Sequence, residues 1–125
     1  MKMYEIIRLP NLLTKLKTYN LPIRTSYKFT KLANIVESEL LIYQEHFGKI
    51  IEEYGKKDEN GNYVFSPDGA TIAIIPGKEE ECQAKLNELQ NIEINTSNIS
   101  FSLEELEGLE LSILDLQTLF SLIIE

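Results

Sequence analysis

The sequence predicts an α+β fold: a single small domain with one long central helix, a β-hairpin within a small antiparallel sheet, and a buried C-terminal helix. Three observations predict it. Apolar residues recur at helical spacing from Phe29 to Tyr54. Two turn sequences, Asn60-Gly61 and Pro67-Asp68-Gly69, alternate with β-forming runs. The stretch from Ile113 to Ile124 is apolar around most of a helix circumference. With 125 residues, 43% hydrophobic and 26% charged, the chain has the balance of one globular domain rather than of a disordered segment. No repeat, low-complexity tract or Gly/Ser linker marks a boundary, so one domain is expected over residues 1–125.

Residues 1–26 form a basic N-terminal segment. Residues 3–9 read as a short strand or extended lead-in that stops at Pro10, followed by a short amphipathic helix over 11–19 with Leu12, Leu13 and Leu16 on one face. Leu21-Pro22 interrupts that helix, because proline turns the preceding residue away from helical geometry. A long helix is predicted over 27–54, on the stripe Phe29, Leu32, Val36, Leu40, Tyr43, Phe47, Ile50 and Tyr54. Thr25 or Ser26 would cap its start, and Gly55 stands where a left-handed C-terminal cap belongs. At 1.5 Å per residue the helix would span about 40 Å. Ile35, Leu41 and Ile42 lie off the main stripe, so the helix is either flanked on several sides or offers a face to another chain.

A hairpin is predicted over 60–75, with Tyr63-Val64-Phe65 and the run Ala70 to Ile75 as strands, ended by Pro76-Gly77. A helix over 78–90 follows, with Cys82, Leu86 and Leu89 on one side and Glu79, Glu80 and Glu81 in the first turn, where the helix dipole favours anions. Residues 92–103 read as one or two strands. Ser102 and Ser112 each precede an acid by three residues, so capping boxes open the C-terminal helices over 104–125.

Lys plus Arg number 12 and Asp plus Glu 20, a formal charge of −8. The charge is uneven: residues 1–34 carry seven cations and one anion, +6, and residues 35–125 carry −14. A surface that binds nucleic acid needs surplus cations, so the acidic body is not a nucleic-acid site. The basic head either contacts phosphates, with Tyr4, Tyr19 and Tyr27 as stacking residues, or closes on acidic groups of its own chain. Its interleaved Ile and Leu residues favour the second reading. No secretion signal or run of membrane-spanning length is evident, and the expected compartment is a reducing cytoplasm.

Little in the sequence carries catalytic chemistry. Cys82 is the one cysteine and His46 the one histidine, which removes disulfides, Cys-rich zinc sites and His-pair metal motifs. Cys82 follows three glutamates, which oppose a thiolate, so a small buried hydrophobe is expected there. His46 lies off the apolar stripe and reads as exposed or partner-contacting. The Asp58–Asn62 run has its glycine at the fourth place, not the sixth a calcium loop requires, and reads as a solvated turn. Two Asn-x-Ser matches, at Asn95 and Asn98, lack the secretion context that glycosylation needs. No enzyme, cofactor, metal or catalytic residue is therefore expected.

Residues 50–74, IIEEYGKKDENGNYVFSPDGATIAI, and residues 86–94, LNELQNIEI, resemble a family of small uncharacterised proteins from phages and prophages of Gram-positive bacteria. The resemblance covers about residues 27–125. It implies a long helix ending in a Tyr-Gly-x-Lys-Asp-Glu corner, a hairpin, a helix, strands and a leucine-rich C-terminal helix, with no catalytic residues to carry over. The function expected is that of a phage-encoded, non-enzymatic factor that binds and inhibits a host or anti-phage defence protein in the bacterial cytoplasm. Acidic mimicry of nucleic acid is one route, with Glu79, Glu80, Glu81, Glu104, Glu105 and Glu107 as contact residues. The alternative is an assembly accessory of the phage particle that self-associates through its apolar helix faces.

Overall fold

The computed structural model describes residues 1–124, and the described chain is a mixed helix-and-strand fold in which helix predominates. It gathers into two compact units: Met1–Leu40 with the chain from Glu93 onward, and Leu41–Ile92.

The first unit opens with α1, Met3–Leu16. Helix runs straight through Pro10, so neither the strand expected over 3–9 nor the break at Pro10 exists. Proline inside a helix costs about 3 kcal/mol. Against that, Met3, Ile6, Leu9, Leu12, Leu13 and Leu16 are all buried, each stabilising by roughly 1.5–3 kcal/mol. Burial wins by a wide margin. The backbone N–H of Lys2 donates to the Glu5 carboxylate at 3.2 Å, and the Met1 ammonium meets Glu93 at 2.8 Å.

Helix α2 spans Ile23–Tyr54, 32 residues, starting earlier than the predicted 27. The carbonyl of Pro22 accepts from the Ser26 amide at 2.9 Å, an arrangement proline tolerates because its missing N–H is needless at a helix start. Neither Thr25 nor Ser26 is the cap, since the helix has already begun at Ile23 and both lie inside its first turn. Within this unit α2 buries Phe29, Leu32 and Val36.

The strands expected over 92–103 reduce to one antiparallel bridge, Lys2 with Glu93, and the two-residue β1, Phe101–Ser102. The loop between holds Ile94, Thr96 and Ile99 in the interior. β1 pairs in parallel with β2, Ile123–Ile124, in the register Phe101 with Ile123 and Ser102 with Ile124. The sheet is therefore parallel, not the antiparallel one predicted. Phe101 has no exposed surface and stacks on Phe29 with ring centroids 4.3 Å apart.

Two short helices complete the unit: α4, Leu103–Leu106, and α5, Ile113–Leu119. Ser102 and Ser112 cap them with the reciprocal bonds the sequence predicts. The expected buried C-terminal helix is only partly so. α5 packs on α1, and Leu119 and Leu122 are buried, but Ile113, Leu114 and Phe120 are 79%, 64% and 74% exposed. Entry into a 3-10 turn at Phe120–Leu122 and then β2 stops the helix after two turns, too short to be covered on every side. The predicted range ends at Glu125, which lies outside the described residues.

The second unit contains the end of α2, a region of tight turns and α3, Glu79–Gln90. The antiparallel hairpin predicted over 60–75 does not form as a pair of strands. Three isolated antiparallel bridges stand in its place: Gly55 with Ile74, Lys57 with Tyr63, and Phe65 with Ile72. At their centre Lys56 N–H donates to Ala73 O (2.8 Å), Ala73 N–H to Val64 O (2.7 Å), and Val64 N–H to Lys56 O (2.8 Å). These three bonds close a ring. Each segment pairs with one neighbour on one side of the ring and with the other neighbour beyond it, so no pairing is long enough to become a strand.

The two turns take the predicted residues. Asp58 accepts from the amides of Asn60 and Asn62, Asp68 from that of Ala70, and Gly61 and Gly69 have positive φ. Gly55, by contrast, is not among the positive-φ glycines, so it is no left-handed cap. A Cβ there would stand 2.5 Å from the Ile51 carbonyl and 2.9 Å from the Tyr63 ring. Gly55→Ala should therefore lower stability by about 1–3 kcal/mol through overpacking. Gly48→Ala, on an open stretch of α2 with nothing within 4 Å, should raise it by about 0.5–1 kcal/mol. Urea unfolding of the two variants checks both signs.

Candidate functional site

The six glutamates expected to contact a partner fall into two groups. Glu79, Glu80 and Glu81 form the exposed first turn of α3. Glu79 accepts from the Gly77 amide at 2.9 Å, and Glu81 pairs with Lys78 at 3.3 Å. Glu104 and Glu107 are exposed in the first unit, while Glu105 is turned inward. Glu105 caps α4 through Ser102, meets Lys28 at 2.8 Å and accepts from the Thr25 hydroxyl at 3.4 Å. Glu105 is therefore a structural carboxylate as much as a surface one.

These three acids line a cleft of about 750 Å³ that Arg24, Lys28, Thr25 and Tyr19 share. Both signs of charge are present, so the cleft does not offer a purely anionic face. The basic head is drawn to acids of its own chain at three places: Met1 to Glu93, Lys15 to Asp115 at 2.9 Å, and Lys28 to Glu105. Lys28 also sits 5.7 Å from the centroid of the Phe101 ring.

His46 is exposed on α2. Cys82 is 2% exposed, and burial pushes its thiol up, away from the thiolate form. Among the described residues no group of three His, Cys, Asp or Glu side chains is placed to hold a metal ion, and no helix is long and apolar enough to cross a membrane.

A more apolar concavity lies in the second unit. It is a groove of about 560 Å³ between the end of α2, the ring of bridges and α3. Phe47 and Ile51 come from α2, Phe65, Ile72 and Ile74 from the bridged segments, and Leu86 from α3. The bridges place Phe65 beside Ile72 and hold both toward the groove. Phe65 is 60% exposed and Phe47 38%. Earlier on α2, Leu41 and Ile42 are also exposed. These large apolar side chains are therefore left in contact with solvent in the described unit. The position of Leu41 and Ile42 off the main stripe is visible in sequence. The outward turn of Phe65 is not, because it depends on which segment pairs with which.

No family model, no curated protein and no solved structure matches the chain.

The carboxylates of Glu93, Glu105 and Asp115 are all held below their usual range, by hydrogen bonds from the N-terminal amine, Lys28 and Lys15 respectively. A depressed folded value means stability that is complete above the ordinary value, 4.5 for Glu105, and lost as pH falls through the folded one. Folding free energy from urea titrations should be level from neutrality to about pH 5 and decline below it. Glu105→Gln keeps the capping geometry but loses the charge. It should cost less than about 1 kcal/mol at neutral pH and make the acid decline shallower.

Proposed function

We propose that the chain is a non-catalytic protein-interaction factor that binds a host or defence protein through the apolar surface of residues 41–92. The observation that carries this reading is the exposure of Leu41, Ile42, Phe47 and Phe65. Withdrawing such side chains from water supplies roughly 25 cal/mol per Å² of apolar area, and nothing in their own unit covers them. The run over 50–74 that resembles phage proteins lies in the same unit and includes Phe65, and it directs the search for a partner toward bacterial host and anti-phage defence proteins. Acidic nucleic-acid mimicry draws support from exposed Glu79, Glu80, Glu104 and Glu107, and less from Glu81 and Glu105, which are tied to Lys78 and Lys28.

Self-association, as an assembly accessory of a phage particle, has an observation of its own. Ile113, Leu114 and Phe120 on and after α5 are large apolar side chains left open in the first unit. Light scattering separates the two readings, since a stable oligomer dispersed by Leu114→Glu favours self-association.

The interaction reading is tested by cross-linking capture from Gram-positive bacterial lysate, with the tagged chain and its Leu41→Ser/Ile42→Ser variant compared. A discrete partner should appear with the native chain and fall by about tenfold or more with the variant, the effect of losing roughly 1.4 kcal/mol. Equal recovery would remove the surface from consideration, and absence of any partner would remove the reading.

A further inference from the structure

Resting on that interaction reading, we propose that the groove of the second unit receives a basic amphipathic helix from the partner protein, its apolar face in the groove and a cation on Glu79. The shape comes first. From α3 the groove is lined at Glu79, Cys82, Gln83 and Leu86, which are i, i+3, i+4 and i+7 on one helical face. From α2 it is lined at Phe47 and Ile51, again one turn apart. α3 thus walls the groove over about 10 Å, seven residues at 1.5 Å each, and α2 walls it over one turn. An incoming helix with anchors at i, i+4 and i+7 has the same repeat as these walls, the recurring mode by which amphipathic helices are bound.

The charge of the guest follows from the charge of the host. The only charged residue lining the groove is Glu79, and its Oε2 is already held by the Gly77 amide at 2.9 Å. A carboxylate fixed in place before binding loses little freedom when a Lys or Arg arrives. Residues 41–92 as a whole carry ten acids and five cations, a net −5, so a cationic segment is steered toward this unit and an anionic one repelled.

A second copy of this chain does not meet the requirement. The basic amphipathic helix at its N-terminal end is α1, with Lys2, Arg8, Lys15 and Lys17 within or beside it. The apolar face of α1 is buried throughout, from Met3 at 2% exposure to Leu13 at 9%. Two copies of a unit at −5 would also repel each other. A segment from a different protein meets the requirement without unpacking α1.

Fluorescence anisotropy of the full chain with labelled synthetic peptides tests the proposal. The probe is a Leu/Lys amphipathic helix of about 14 residues, long enough to cover the channel with a turn beyond each end. Its controls are the Leu/Glu equivalent and a Leu/Lys peptide of the same composition in strict alternation. Saturable binding of the helical Leu/Lys peptide is expected, about tenfold or more tighter than either control. Phe65→Ser should weaken it by about tenfold, and Glu79→Gln should weaken it less and flatten its salt dependence. Gln83→Arg, a change at an exposed wall position that leaves the interior untouched, should weaken it too. Equal binding of the Leu/Glu peptide, equal binding of the alternating peptide, or full binding by the Phe65→Ser and Gln83→Arg variants would each overturn the proposal. Should the Leu/Lys helix fail to bind while lysate capture still depends on Leu41 and Ile42, the partner's chemistry is wrong but the interaction reading stands. Should both fail, both fall.

Discussion

Four stretches of chain that are far apart in sequence have to bring their apolar side chains to one place. Ile6 and Leu9 of α1, Leu32 of α2, Phe101 of β1 and Leu119 of α5 are the largest side chains with essentially no exposed surface. The stacking of Phe101 on Phe29 sits among them and joins the loop after residue 93 to α2. The rest of the first unit depends on this meeting. With Phe101 held inside, Ser102 is placed to cap α4, and the backbone of β1 is presented for parallel pairing with β2. The ion pairs of Lys15 and Lys28 lie at the margin, partly open to solvent. Pairs of that kind contribute about 1 kcal/mol at most, against roughly 1.5–3 for each buried Leu, Ile or Phe. The charges orient what the core has already gathered.

The second unit solves a different problem with less material. Tyr54, Cys82 and Leu89 are its buried side chains of any size, and much of its remaining order comes from the backbone. The ring through Lys56, Val64 and Ala73 satisfies an amide and a carbonyl at each of three segments. Each such bond is worth about 1 kcal/mol net, but leaving the groups unpaired would cost more. Gly55 makes the ring possible, since its missing side chain lets the Tyr63 ring approach the end of α2. A unit built this way has apolar residues to spare, and Phe47 and Phe65 remain at the surface around a groove. The economy of the core and the exposure of these apolar side chains are the same fact.

Charge has a similar double character. The head of residues 1–34, at +6, does not project as a separate arm. Met1, Lys15 and Lys28 meet Glu93, Asp115 and Glu105, and Lys31 and Arg8 lie over the rings of Tyr27 and Tyr4. Cations that carry structure in this way draw down the basic surplus of the head, and the residues 41–92 are left the more acidic unit at −5. The larger acidic surplus and the apolar groove therefore fall in the same unit.

The features legible in the sequence are those decided within a few residues. The helical repeat from Phe29 to Tyr54, the serine caps at Ser102 and Ser112, and the turns at Asn60-Gly61 and Pro67-Asp68-Gly69 rest on local sterics and hydrogen bonds, and all are present. The exposed pair Leu41 and Ile42 was visible as residues off the main stripe. Tertiary structure alone decided the others. Pro10 stays within a helix because burial of six α1 side chains outweighs a local penalty. Phe65 lines a groove because its segment is bridged to Ile72 on one side and, through Tyr63, to Lys57 on the other. The β pairing is parallel because Phe101 and Ile123 meet through the core, not through a turn. Propensity acts over a turn or two of chain, whereas each of these outcomes compares the energies of residues brought together from far apart.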